Sequence, residues 1–167
     1  MIIVCGLAQA QEQIDLHAAR SVIGVLGPET PHPAYRGIEE ARHLRLTFND
    51  INEETAGMSA PTQSDAEKLV NFITAWDRRA PLLIHCWAGI SRSTASAFAA
   101  LCVLRPDMDE MALARDLRSA SPSATPNRLI TARVDQLLGR KGRMLAAVES
   151  IGRGANAFEG RPFVLKV

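Results

Sequence analysis

The sequence predicts an α/β fold. It reads as a single domain on a mostly parallel central sheet of about four to five strands, flanked by helices. Short apolar runs at residues 2–5, 21–26 and 82–86 have the character of strands buried on both faces. Stretches of helical period alternate with them, the order that sets parallel strands side by side with helices against the sheet. The size agrees: 167 residues, 47% hydrophobic and 22% charged, make one globular unit with an ordinary core.

Taken in order, residues 2–5 are apolar throughout, as a central strand requires. Residues 11–20 read as a helix carrying Ile14, Leu16 and Ala18 among polar neighbours. Residues 21–26 form a second buried strand, closed by Gly27 and Pro28. Pro31 and Pro33 make 29–36 a loop, and 37–42 reads as a short helix. Residues 43–48 alternate in polarity, a strand with one less buried face. The polar stretch 49–62, with Gly57 and Pro61, is a loop. Residues 64–79 carry a strong helical pattern: Ser64 can cap, Glu67 lies three residues on, and Leu69, Val70, Phe72, Ile73 and Trp76 form the apolar stripe.

Pro81 then precedes the apolar strand 82–86. An alanine-rich helix over 95–104 stops before Pro106. Asp109 can cap a helix over 109–120, and residues 121–126 are a Ser/Pro loop. Residues 127–138 and 142–151 read as helices parted near Gly139. The domain is thus residues 1–151, with 152–167 a tail packed on it or extending it through Phe163, Val164 and Leu165.

Composition narrows the function classes. A formal net charge of +1 offers no general attraction for nucleic acid or a membrane surface. The three cysteines, Cys5, Cys86 and Cys102, fit neither a complete set of disulfides nor a metal motif, which points to a reducing compartment. Residues 1–6 lack a positive leader, and no apolar run approaches the roughly 18 residues of a membrane span, so a cytoplasmic protein is expected. His17, His32 and His43 have no ligand spacing, and no cofactor is called for.

The chemistry concentrates where strand 82–86 runs into a tight loop and a helix start, from His85 to Thr94. Strand, short loop and helix N-terminus make an anion site, because the first helical N–H groups lack partners and the helix dipole favours negative charge. Cys86 ends the strand and Arg92 closes the loop. A helix N-terminus and a guanidinium both favour the thiolate, the nucleophilic form of cysteine. The planar fork of Arg92 matches two oxygens of a phosphoryl group. Together they call for in-line attack on phosphorus through a phosphocysteine. Ser93 can donate to the sulfur as it departs, and His85 can orient the loop from the strand side.

His85-Cys86-Trp87-Ala88-Gly89-Ile90-Ser91-Arg92-Ser93 resembles the signature loop of the cysteine-dependent protein tyrosine phosphatases, in the His-Cys-x-x-Gly-x-x-Arg-Ser form. It is most similar to the small, dual-specificity-like bacterial members. The resemblance implies a dual-specificity-phosphatase-like fold and metal-independent hydrolysis of phosphate monoesters. Phosphotyrosine in a phosphorylated protein is the implied substrate. It places phosphoryl-group contacts at Trp87, Ala88, Gly89, Ile90, Ser91 and Arg92. It also implies a general acid on the loop upstream of the signature strand; Asp50 matches best, with Glu53 and Glu54 as alternatives. Asn127, after Pro126, resembles an asparagine that braces the signature loop, although a helix N-cap explains it equally.

Several other residues admit two readings. Trp87 can be a pocket wall or plain packing, and Cys5 a resolving thiol or a core cysteine. Arg128, Arg133, Arg140, Lys141 and Arg143 read as a solvated basic face. Ala88 and Ile90 stand where phosphoinositide-specific relatives tend to carry lysine, which weighs against that substrate. A catalytically silent phosphoprotein-binding module is the alternative from another class; the intact Cys86, Arg92 and Ser93 oppose it.

Overall fold

The computed structural model describes the whole chain, Met1–Val167. Its five-stranded sheet comprises β1 (Ile2–Gly6), β2 (Ser21–Leu26), β3 (His43–Thr47), β4 (Leu82–Cys86) and β5 (Phe163–Leu165), in the order β3-β2-β4-β1-β5. The first four strands run parallel. β5 joins the edge antiparallel to β1, pairing Ile2 with Leu165 and Val4 with Phe163. All residues of β1, β2 and β4 are buried, as their unbroken apolar runs require.

The helices are α1 (Ala10–His17), α2 (Gln63–Ala75), α3 (Arg92–Leu104), α4 (Glu110–Ala120), α5 (Arg128–Leu137) and α6 (Arg143–Ile151). Their distribution over the two faces is unequal. The larger core, which includes Ile84, Cys86, Phe98 and Leu117, lies on the side of α2 to α6. The smaller one, around Ile3, Cys5, Ile14 and Tyr35, lies under α1. α3 is the hub of the larger side: every residue from Arg92 to Cys102 is buried, which only a run of small alanines and serines permits with neighbours so close. No helix is long and apolar enough to cross a membrane.

Local boundaries differ from the sequence expectation where long-range contacts decide them. Thr62, not Ser64, caps α2: its hydroxyl accepts from Asp65 N at 3.2 Å while Asp65 Oδ2 accepts from Thr62 N at 2.9 Å. α2 stops at Ala75 rather than running to 79, because Trp76 leaves helical geometry with ψ 120° to bury its ring, and its Nε1 donates to Ala80 O at 3.0 Å. α1 likewise ends early, at Ala18 with φ 52°. Residues 37–42 make only one 3-10 turn, Glu40–Arg42.

The C-terminal basic residues are corrected in part. Arg140, its side chain only 14% exposed, is not part of a solvated face: it bonds to the buried carboxylate of Glu110, which the half-exposed Arg143 also reaches from outside. Arg140 Nη1 lies at 3.0 Å and Arg143 Nε at 3.1 Å. Burial pushes Glu110 up, but the Arg143 hydrogen bond and both guanidinium charges outweigh it and hold the carboxyl below its usual range. Breaking a buried pair such as Arg140–Glu110 typically costs about 3–5 kcal/mol, so Arg140 joins α4 to the α5–α6 turn.

Three histidines sit on the α1 side of the sheet with Tyr35. Tyr35 Oη lies 2.9 Å from His85 Nε2, and its ring packs against His43 and His85 at 5.4 and 5.6 Å. They do not converge as a metal-ligand set. Burial drives His43 down to about 4 and His85 to about 3, and lowers His32 as well. Unfolded, each takes up a proton near pH 6.5. Their contribution to stability is therefore complete above about pH 6.5 and is lost as the pH falls towards the folded values. The melting temperature is expected to drop between about pH 6.5 and 4, and His43→Leu to flatten that slope. A slope unchanged in the variant would remove His43 from this role.

Candidate active site

Cys86 ends β4, and its side chain points to the α3 side. Its sulfur lies 3.1 Å from Ser93 Oγ and accepts from Gly89 N–H at 3.2 Å. The residue is 1% exposed. β4 is flanked by β1 and β2, so the loop leaves from the middle of the sheet at the carboxyl end of its strand, where ligands of parallel sheets bind.

The loop 87–91 is shaped from outside. Its carbonyls are tied outward by segments distant in sequence. Trp87 O accepts from Leu7 N at 3.1 Å, Ala88 O from Gly160 N at 2.8 Å, Ile90 O from Thr125 N at 2.9 Å and Ser91 O from Asn127 N at 3.3 Å. Thr94 Oγ1 adds bonds to Ile90 O and Ser91 O at 2.6 and 2.9 Å. Because each peptide is planar and trans, a carbonyl held outward turns the next N–H inward. The N–H groups of Ala88, Ile90, Ser91, Arg92 and Ser93 donate to no protein acceptor. They form, with the start of α3, a concave set of donors around the Cys86 sulfur, the arrangement that receives an oxyanion. Gly89 makes the turn possible: its φ is +72°, and a Cβ there would lie 2.7 Å from the backbone of Cys5 and Gly6.

Arg92 is buried at the helix start. One Nη donates to Phe48 O at 3.0 Å, and its Nε has no hydrogen-bond partner. α3 starts at Arg92, ahead of the expected residue 95, and Ser91 in front of it does not cap the helix. Its hydroxyl instead donates to Asp50 Oδ1 at 2.7 Å. That leaves the helix-start amides free.

Asp50 sits against this loop. Its Oδ1 also accepts from Asn127 Nδ2 at 2.9 Å, and its Oδ2 lies 3.7 Å from Arg92 Nε. The side chain is 37% exposed, at the boundary between loop and solvent. Glu54 is drawn to Arg133 at 2.8 Å instead, and Glu53 takes part only through its backbone carbonyl, which accepts from Thr55 Oγ1. Asn127 Oδ1 caps α5 by accepting from Ile130 N, while its Nδ2 donates to Asp50 and to Ile51 O, on the upstream loop and not on the cysteine loop itself.

The remaining sequence-marked residues divide. His85 lies under the loop on the opposite face from the sulfur, held by Tyr35 and in contact with the Cys86 backbone. Trp87 is half exposed and packs edge-on against Phe158, ring centroids 5.7 Å apart. Cys5 points to the α1 side, away from Cys86. Burial pushes its thiol up to about 12, with the neighbouring Cys86 and Glu159 adding to the rise, so the core reading replaces the resolving-thiol one. Cys102 is a core residue of α3, also pushed by burial to about 12. Leu7, Thr125 and Gly160 shape the loop through backbone groups alone, so no side-chain pattern announced them.

No family model and no curated protein matches the sequence. Solved structures match the fold closely. DUSP15 aligns at TM-score 0.63 and 18% identity, over 90% of this chain and 89% of its own. Human DUSP28 aligns at 0.62 and 19%, over 84% and 92%. The Yvh1 phosphatase domain from Chaetomium thermophilum aligns at 0.63 and 20%, over 86% and 93%. The chain therefore has the fold of the dual-specificity and protein tyrosine phosphatases.

Proposed function

We propose that the protein is a cysteine-dependent phosphatase that hydrolyses phosphate monoesters, phosphotyrosine in proteins above all, through a phosphocysteine. One observation supports this most: a cysteine sulfur with two hydrogen-bond partners ends the strand before a loop whose amides at Ala88 and Ile90 to Ser93 donate to no protein acceptor and whose closing arginine is buried with its Nε free.

In this reading the loop amides and Arg92 bind the equatorial oxygens of the phosphoryl group, leaving phosphorus above Cys86 Sγ. The thiolate attacks in line, and the S–P bond forms as the P–O bond to the leaving group breaks. Asp50 gives its proton to the departing oxygen. A water molecule then attacks the phosphocysteine, Asp50 takes its proton back, and the sulfur leaves as thiolate with the Ser93 hydroxyl donating to it at the observed 3.1 Å. Apart from water, every step in this reading uses this chain's own groups and calls on no metal. A phosphorylated cytoplasmic protein is the proposed partner.

The test is hydrolysis of a phosphotyrosine peptide in EDTA, beside a phosphoserine peptide. Turnover of the first well above the second is expected. A folded protein that turns over neither, yet binds the phosphotyrosine peptide, would replace this reading with that of a binding module.

A further inference from the structure

Residues 152–167 carry no motif, yet they form a strap across the loop just described. After α6 the chain bonds to the 121–126 loop, through Gly154 N to Thr125 Oγ1 at 3.1 Å and Ala155 N to Pro122 O at 2.9 Å. It then crosses the cysteine loop, where Gly160 N donates to Ala88 O at 2.8 Å, and ends as β5 on the edge of the sheet. Two glycines let it lie this close. A Cβ at Gly154 would stand 2.6 Å from Ser123 C, and one at Gly160 would stand 2.8 Å from Gly89 O.

The Gly160 contact differs in kind from the other ties. The peptide it holds is Ala88–Gly89, and the N–H of that same peptide is the one that donates to Cys86 Sγ. A planar peptide cannot turn one end without the other. An amide donating to its carbonyl also polarises its own N–H as a donor. The chain of contacts runs from the strap amide through one peptide group to the sulfur.

We propose that the strap is a working part of the active site, with Gly160 as a positioning residue: its backbone N–H orients and polarises the peptide that stabilises the Cys86 thiolate. This rests on the reading of Cys86 as the nucleophile.

The experiment compares alkylation of Cys86 by iodoacetate, located by mass spectrometry, in wild type, Gly160→Ala and Gly154→Ala. Cys5 and Cys102 are as buried as Cys86, so each cysteine-containing peptide is quantified separately and only the Cys86 peptide is scored. Rates are read at about pH 6 and about pH 9, either side of the ordinary thiol range. Both variants push a Cβ into backbone, so both lose stability, but only Gly160→Ala disturbs the peptide at the sulfur. The ratio of the rate at low pH to that at high pH is expected to fall about tenfold in Gly160→Ala, the scale of one charge-assisted hydrogen bond, and to stay at the wild-type value in Gly154→Ala. An unchanged ratio in Gly160→Ala, or an equal fall in both variants, overturns the proposal. If Gly160→Ala does not fold, Phe163→Ala, which loosens β5 downstream, takes its place with the same expectation in smaller measure. Wild-type Cys86 that behaves as an ordinary thiol ends both the proposal and the nucleophile reading, so the two failures are told apart.

Discussion

Cys86→Ser is expected to lower the turnover of an aryl phosphate by roughly 10⁴-fold or more, while the folded protein still binds tungstate. Oxygen replaces sulfur with little change in volume, so the buried position and its neighbours at Ser93 and Gly89 accept it. The lost property is nucleophilicity: a serine hydroxyl is far harder to ionise than a thiol and cannot stand in for the attacking sulfur of the proposed mechanism. In the proposed reading the phosphoryl group is held elsewhere, by the amides of Ala88 to Ser93 and by Arg92, whose Nε donates to no protein acceptor. Turnover of p-nitrophenyl phosphate, calorimetric titration with tungstate and a melting curve together read the three quantities. Loss of folding would make Cys86 a structural residue, and retained turnover would remove it from the chemistry.

Asp50→Asn is expected to separate substrates by leaving group. A general acid is worth about 10²–10⁴ in rate where the departing oxygen is a poor leaving group, and little where it leaves unaided. Hydrolysis of a phosphotyrosine peptide should fall by that factor, and hydrolysis of p-nitrophenyl phosphate far less. The contacts of Asp50 give the variant a second, separable effect. Its carboxylate accepts from Ser91 and Asn127 and faces Arg92, so an amide in its place sets an N–H₂ group against donors. If that clamping were its whole role, both substrates would slow alike. The ratio of the two kcat/KM values therefore decides between proton donor and loop clamp.

The elements that carry the site were legible in the sequence because their signals are local. Three apolar runs gave β1, β2 and β4, and the Cys86-to-Ser93 spacing marked the loop and the start of α3. Asp109 was legible as the cap of α4 for the same reason. What the sequence hid depends on partners far along the chain. Arg140 looks like a surface charge until Glu110 is brought beneath it. Ser64 and Thr62 are equal as caps until Asp65 reaches back to Thr62. α2 ends at Ala75 because a tertiary pocket takes Trp76. The hidden part of the site is of one type: backbone groups of Leu7, Thr125 and Gly160 tie the loop carbonyls outward, and a backbone donor leaves no trace in residue identity. Gly160 was visible only as one glycine of a tail without a motif.

The most direct measurement of the central claim is rapid acid quench of a phosphotyrosine peptide reaction, followed by mass spectrometry of the peptide that contains Cys86. Ser93→Ala, which withdraws the hydroxyl from the departing sulfur, slows the second step and lets the intermediate accumulate. The expected result is the added mass of one phosphoryl group on Cys86 in this variant, and none in Cys86→Ser. Steady turnover with Cys86 never modified, or with the phosphoryl group on another residue, would contradict a phosphocysteine mechanism.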